Sequence, residues 1–274
     1  MRCVAFVLLL LLAAPADGAA QSGPQAALDR GDWVVARNLG RTGSDAASQT
    51  LAAEAVLSPL VLGLDREVRA LRAGEDMRAP VGIALEATER EVRRDAARQA
   101  AGYARAAIDA DPDYAPAHRA LAAALGIEGR NTHPLRAALS RLPGRSREAI
   151  DRAIELDPVS PAGRALLGAW HLEIVRRAGE GTFGADLETG LEQFRAAAAA
   201  ETGPPIPYQF ALHLLALDPA VYGDEAEAML GRAVEAETNG AFEAAIKAQA
   251  QTLFDLALTS RAAAAEEARD RLSR

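Results

Sequence analysis

Cysteine, lysine and aromatic residues are close to absent from this chain. The one cysteine, Cys3, stands ahead of the first apolar run. Intrachain disulfides are therefore excluded, and removal of a leader that contains Cys3 would exclude thiolate catalysis and cysteine-ligated metal sites as well. Lys247 is the sole lysine among 30 basic residues, and only 4% of the residues are Phe, Trp or Tyr. No glycine-rich phosphate loop, His-Glu-x-x-His, Gly-x-Ser-x-Gly or Ser-x-x-Lys motif occurs, so phosphoryl transfer, zinc hydrolysis and serine acyl transfer lack their usual signatures. The four histidines, His118, His133, His171 and His213, stand at no helical spacing that would pair two of them on a metal. No metal and no cofactor is expected. Nucleic acid is not expected as a partner either, since the net charge is −8 and phosphates call for a cationic footprint.

The charge is unevenly distributed. From Glu180 onward there are 16 acidic and 7 basic residues, against 22 and 23 before it. At the start, Arg2 precedes an apolar run from Val4 to Ala14, then Pro15 and the small residues Gly18-Ala19-Ala20. This pattern predicts a secretory signal peptide over residues 1–20, with cleavage near Ala20 and export to the periplasm or beyond. The run is shorter than the ~20 residues that a membrane span needs. Residues 21–274 are then the mature domain, with no later run of spanning length. Alanine and arginine are used heavily, and alanine is the strongest helix former.

Nearly every later segment has apolar residues spaced by three and four, and no alternating strand pattern stands out. The spacing predicts helices over 24–40, 44–57, 59–74, 82–110, 114–127, 145–156, 160–178, 184–200, 206–217, 223–237, 240–257 and 259–272. Small residues recur on one face: Ala100, Ala104 and Ala107; Ala149, Ile150 and Ala153; Phe194 and Ala197; Leu230 and Ala233. Leu51, Ala52, Ala55 and Val56 form a further apolar stripe. Such faces permit close helix pairing.

Two stretches repeat. Ala153-Ile154-Glu155-Leu156-Asp157-Pro158 is followed by Leu167-Gly168, and Ala107-Ile108-Asp109-Ala110-Asp111-Pro112 by Leu121-Ala122. Gly31-Asp32-Trp33 with Ala36 reads as a hairpin hinge. These residues resemble the tetratricopeptide (TPR) repeat, in which helical hairpins bury their faces only against neighbouring hairpins at a period of roughly 34 residues. The anchors Ala107, Ala153, Ala197 and Ala233 lie 46, 44 and 36 residues apart. The expected fold is thus all-α, an irregular TPR-like α-solenoid with insertions near 126–145 and 179–184. A second resemblance covers roughly 100–255, on Leu166-Leu167-Gly168-Ala169-Trp170-His171, Phe183-Gly184-Ala185-Asp186-Leu187-Glu188, Gly190 and Phe194. It is similar to the T-component of bacterial TRAP transporters and to the regulators of microtubule dynamics. The first of these implies a helical protein that oligomerises and docks a periplasmic solute-binding protein. T-components are commonly lipoproteins, whereas this chain has no cysteine after its leader.

The expectation is an exported scaffold or adaptor that binds another envelope protein, and not an enzyme. The candidate contact residues are Trp170, His171, Arg119, Phe183 and Tyr208. Trp170 and His171 offer an indole beside an imidazole, suited to a partner with an apolar body and a polar end. The alternative expectation is a small-ligand protein, taking a lipid-like molecule or an organic acid in a pocket near Trp170 lined by the aromatics that follow it. Core packing is the competing reading for those same aromatics.

Overall fold

The computed structural model describes residues 23–73 and 88–273. The expected signal peptide lies outside these residues, as do positions 82–87 of the helix expected over 82–110. The protein is all-α, with no strand among the described residues, and it divides into two compact units that meet in sequence at Asp157-Pro158.

The first unit contains α1 (Pro24–Asp29), α2 (Trp33–Gly40), α3 (Ala46–Leu62), α4 (Asp65–Ala73), α5 (Glu89–Ala110), α6 (Ala115–Arg130), α7 (Pro134–Leu139) and α8 (Leu142–Leu156). Packing follows chain order for the long helices: α2 on α3, α3 on α5, α5 on α6 and α6 on α8. The alanine face of α5 explains the closeness. Ala97, Ala100, Ala101, Ala104 and Ala107 are all fully buried, and a methyl side chain lets neighbouring backbones approach.

The second unit contains α9 (Pro161–Ala178), α10 (Leu187–Ala200), α11 (Pro205–Leu217), α12 (Pro219–Glu235), α13 (Gly240–Thr259) and α14 (Arg261–Ser273). Here α9 packs on α10, α11 on α12 and on α9, and α12 on α13. Ala197, Leu230 and Ala233 are fully buried and Phe194 nearly so, as their spacing predicts.

Aspartate followed by proline ends three helices in one way. Asp111, Asp157 and Asp218 all leave the helical region, with φ of −148°, −141° and −155°. Proline disfavours the α conformation in the residue before it. The carboxylate then serves the next segment: Asp111 accepts from the Asp113 amide at 3.0 Å, and Asp218 caps α12 through the Ala220 amide at 2.9 Å.

Three expected boundaries differ. The helix expected over 24–40 is two helices, because Gly31 takes φ +80° and breaks the axis. The break expected between 57 and 59 does not occur. Pro59 sits inside the last turn of α3, where one missing amide costs little, and the helix ends instead at Gly63 in the left-handed conformation with φ +71°. The region expected as an insertion near 126–145 is mostly helical, since α6 continues to Arg130 and α7 and α8 follow closely.

Candidate functional site

Four of the five candidate residues lie in the second unit. Trp170 and His171 are on α9, where that helix crosses α10 at two glycines. A Cβ on Gly168 would lie 2.7 Å from Cδ2 of Phe194 and 2.9 Å from the Gly190 carbonyl oxygen. A Cβ on Gly190 would lie 2.6 Å from Cδ2 of Leu172 and 3.0 Å from Cβ of His171. The residues behind the Leu-Gly-x-Trp resemblance therefore make a close helix crossing. Trp170 is 8% exposed and His171 is 4% exposed. Their rings meet edge to face with centroids 5.1 Å apart. The Asp186 amide donates to Nδ1 of His171 at 3.0 Å, which puts the ring proton on Nε2. The imidazole thus ties α9 to the start of α10. Asp186 caps α10 through the Thr189 amide at 2.7 Å, and its hydrogen bonds to Thr189 hold its carboxyl below the usual range.

Between α9 and α10 the chain makes a tight turn. Gly179, Gly181 and Gly184 have φ of +91°, +79° and +78°. Within it the Gly181 amide donates to the Ala185 carbonyl at 2.8 Å and the Thr182 hydroxyl to the Ala178 carbonyl at 3.0 Å. Glu180 accepts from the Leu187 amide at 3.2 Å. Phe183 lies within this frame at φ +52°, a conformation that an L side chain disfavours by about 1–2 kcal/mol. Even so its ring is 55% exposed.

Phe194, Phe210 and Tyr208 are taken into the core of this unit. Phe194 stacks on Phe210 with centroids 5.0 Å apart and planes 11° apart, and His213 lies 5.4 Å from Phe194. Tyr208 is also buried. Its hydroxyl donates to Oε1 of Gln249 at 3.0 Å and accepts from Nη1 of Arg271 at 2.6 Å. Burial pushes its phenol above the ordinary value, and the neighbouring guanidinium works in the opposite direction. Tyr208 thereby joins α11, α13 and α14.

Arg119, in the first unit, donates from Nη1 to Oδ2 of Asp157 at 3.3 Å, tying α6 to the end of α8. Glu54 on α3 lies within the reach of its charge. Loss of solvent pushes the Glu54 carboxyl up to about 7, with Arg119 opposing the shift. The Tyr114 phenol is raised by burial and by the nearby Glu54 charge. Glu54 escaped the sequence reading, although a lone acid inside the apolar stripe Leu51–Val56 was a visible signal.

A second group of acids gave no signal at all. Glu201 is 5% exposed and Glu243 is 3% exposed. Oε1 of Glu201 accepts from the Thr202 and Gly203 amides, both at 2.8 Å. Oε2 of Glu243 accepts from the Asn239 amide at 2.6 Å. Burial raises the Glu243 carboxyl, and the Glu201 charge raises it further against the pull of the Asn239 amide.

Among the described residues, no three His, Cys, Asp or Glu side chains are placed to hold a metal ion. No helix among them is long and apolar enough to cross a membrane. No protein-family model matches the chain, and no curated protein matches it.

Proposed function

We propose that this chain is an exported scaffold, a TPR-like array of helical hairpins that binds another envelope protein through the turn between α9 and α10. Phe183 carries the reading. A large apolar ring is held outward, against both its backbone preference and the hydrophobic effect, by a glycine frame with its own hydrogen bonds. Exposed aromatics on fixed supports are the residue type that anchors protein interfaces. The sequence resemblance names the class of partner, a periplasmic solute-binding protein, and allows self-association.

The test is in-cell crosslinking from a photoreactive side chain at the exposed position 178, beside the turn, in the exported full-length protein. The expected product is a crosslink to a solute-binding protein that is lost in the Phe183→Ala variant. Phe183→Gly separates binding from folding. It removes the ring but relieves the left-handed strain, so it should lose capture while gaining about 1 kcal/mol in stability. Self-crosslinks alone, or unchanged capture by both variants, would count against the proposal.

A further inference from the structure

The helices of the second unit are separated by residues that stop a helix, with one exception. Gly179, Gly181 and Gly184 lie between α9 and α10, Gly203 and Pro204 lie between α10 and α11, and Pro219 and Gly240 open α12 and α13. Helices α13 and α14 meet at the single residue Ser260, and from Ala241 to Arg274 the chain has no glycine and no proline. Ser260 interrupts the helix with an extended backbone, φ −157° and ψ 103°. Its Oγ accepts from the Ala263 amide at 3.3 Å and its carbonyl from the Ala264 amide at 3.0 Å. One N-cap is thus what the local sequence offers in favour of the break.

The apolar pattern runs across that break. Ile246, Ala250, Leu253 and Ala257 are buried on α13, and Ala264, Ala268 and Leu272 on α14. Their steps of three, four and, across Ser260, seven residues keep all of them on one face of a continuous helix. The same sequence therefore suits a hairpin and a single long helix over 240–273.

In the hairpin, arginines seat α14 on its neighbours. Arg261 donates to Oε1 of Glu227 at 2.5 Å and to Asp224, both on α12. Its stem lies across Gly223, where a Cβ would come 2.9 Å from Cδ of Arg261. Arg269 donates to the Ala216 carbonyl at 3.2 Å and Arg271 to the Tyr208 hydroxyl at 2.6 Å, both on α11.

We infer that α14 is an exchangeable helix: two copies of this chain dimerise by straightening at Ser260, each placing its α14 in the seat of the other. A second copy offers the same Asp224, Glu227, Ala216 carbonyl and Tyr208. Every contact given up by the closed chain is regained, and the dimer differs from two monomers at its two hinges. Helix gained through Ser260 favours exchange; the lost caps and the entropy of association oppose it. The equilibrium therefore follows the hinge rather than the seat.

The test is size-exclusion chromatography with light scattering on the purified full chain over a concentration series. Ser260→Ala removes the cap at both hinges of the dimer and should raise the association constant by about tenfold. Insertion of Gly-Gly after Ser260 breaks the long helix and should leave the chain monomeric. Charge reversal reads the exchange itself. Arg261→Glu in one chain, and Asp224→Lys with Glu227→Lys in another, each set like charges together in the closed hairpin. Mixed, the two should form a heterodimer in preference to either homodimer, because both seats are then matched; native mass spectrometry tells the three apart. Absence of that heterodimer, or a dimer that survives the Gly-Gly insertion, would overturn the exchange. So would a dimer abolished by Phe183→Ala, which would place the contact on the turn between α9 and α10 instead.

Discussion

Replacing Gly168 with alanine adds one methyl group where α9 crosses α10. Its carbon would stand 2.7 Å from Phe194 Cδ2 and 2.9 Å from the Gly190 carbonyl oxygen, well inside ordinary contact. Neither neighbour is free to move. Phe194 is clamped against Phe210 at 5.0 Å, and the carbonyl belongs to the backbone of α10. Overpacking of this kind costs about 1–3 kcal/mol, and two rigid neighbours put this case in the upper part of that range. Alanine returns about 1 kcal/mol of helix propensity over glycine. The net expectation is a destabilisation of about 1–2 kcal/mol. Gly231→Ala in α12 is the control in the same unit. Its methyl group would meet nothing closer than Cζ of Phe254 at 3.8 Å, so only the propensity gain of up to about 1 kcal/mol applies. Urea unfolding followed by circular dichroism, at matched slope, reads both changes. The midpoint should fall for Gly168→Ala and rise for Gly231→Ala. A rise in both would refute the crossing argument.

Two further outcomes follow from buried polar groups. Tyr208→Phe removes a hydroxyl that serves both Gln249 and Arg271, and should cost about 1–2 kcal/mol in urea unfolding; an unchanged midpoint would show that the network does not hold α14. Glu54 has a folded-state value of about 7, above its unfolded value, so its contribution to stability is full below the ordinary carboxylate range and is lost as pH rises to about 7. Thermal midpoints of Glu54→Gln across that range should lack this decline, and parallel curves for variant and wild type would remove Glu54 as its source.

Helix content was legible from spacing alone, and so was the burial of the alanine faces on α5, α10 and α12. Period and side-chain size determine both. Boundaries depended on context. Pro59 reads as a helix breaker, but near the end of α3 it removes a single hydrogen bond from a helix already held by packing. Gly31 reads as a hinge together with Asp32 and Trp33, and its left-handed backbone splits the helix that periodicity alone carries over 24–40. The candidate residues divide along the same line. Trp170 and Tyr208 are candidates in the sequence as aromatics with polar tips, and both are buried, Tyr208 by partners far away in sequence, Gln249 and Arg271. Phe183 admits both readings in the sequence, contact residue and core aromatic, and the glycines around it turn the backbone so that it is exposed. Glu201 and Glu243 are 42 residues apart, and no local pattern could have joined them.

The alanine interior bears on how this sequence can drift. Ala97, Ala100, Ala101, Ala104 and Ala107 line α5 with no exposed surface, and each contributes only a methyl group. Truncation has little left to remove at such positions, whereas any larger side chain must push a whole helix aside. Substitution there is restricted from above, by size, far more than from below. Exchange of one such alanine for glycine leaves the helix contacts in place and costs about 1 kcal/mol of helix propensity. The bulkier residues that strengthen most protein interiors are the ones these positions must keep out.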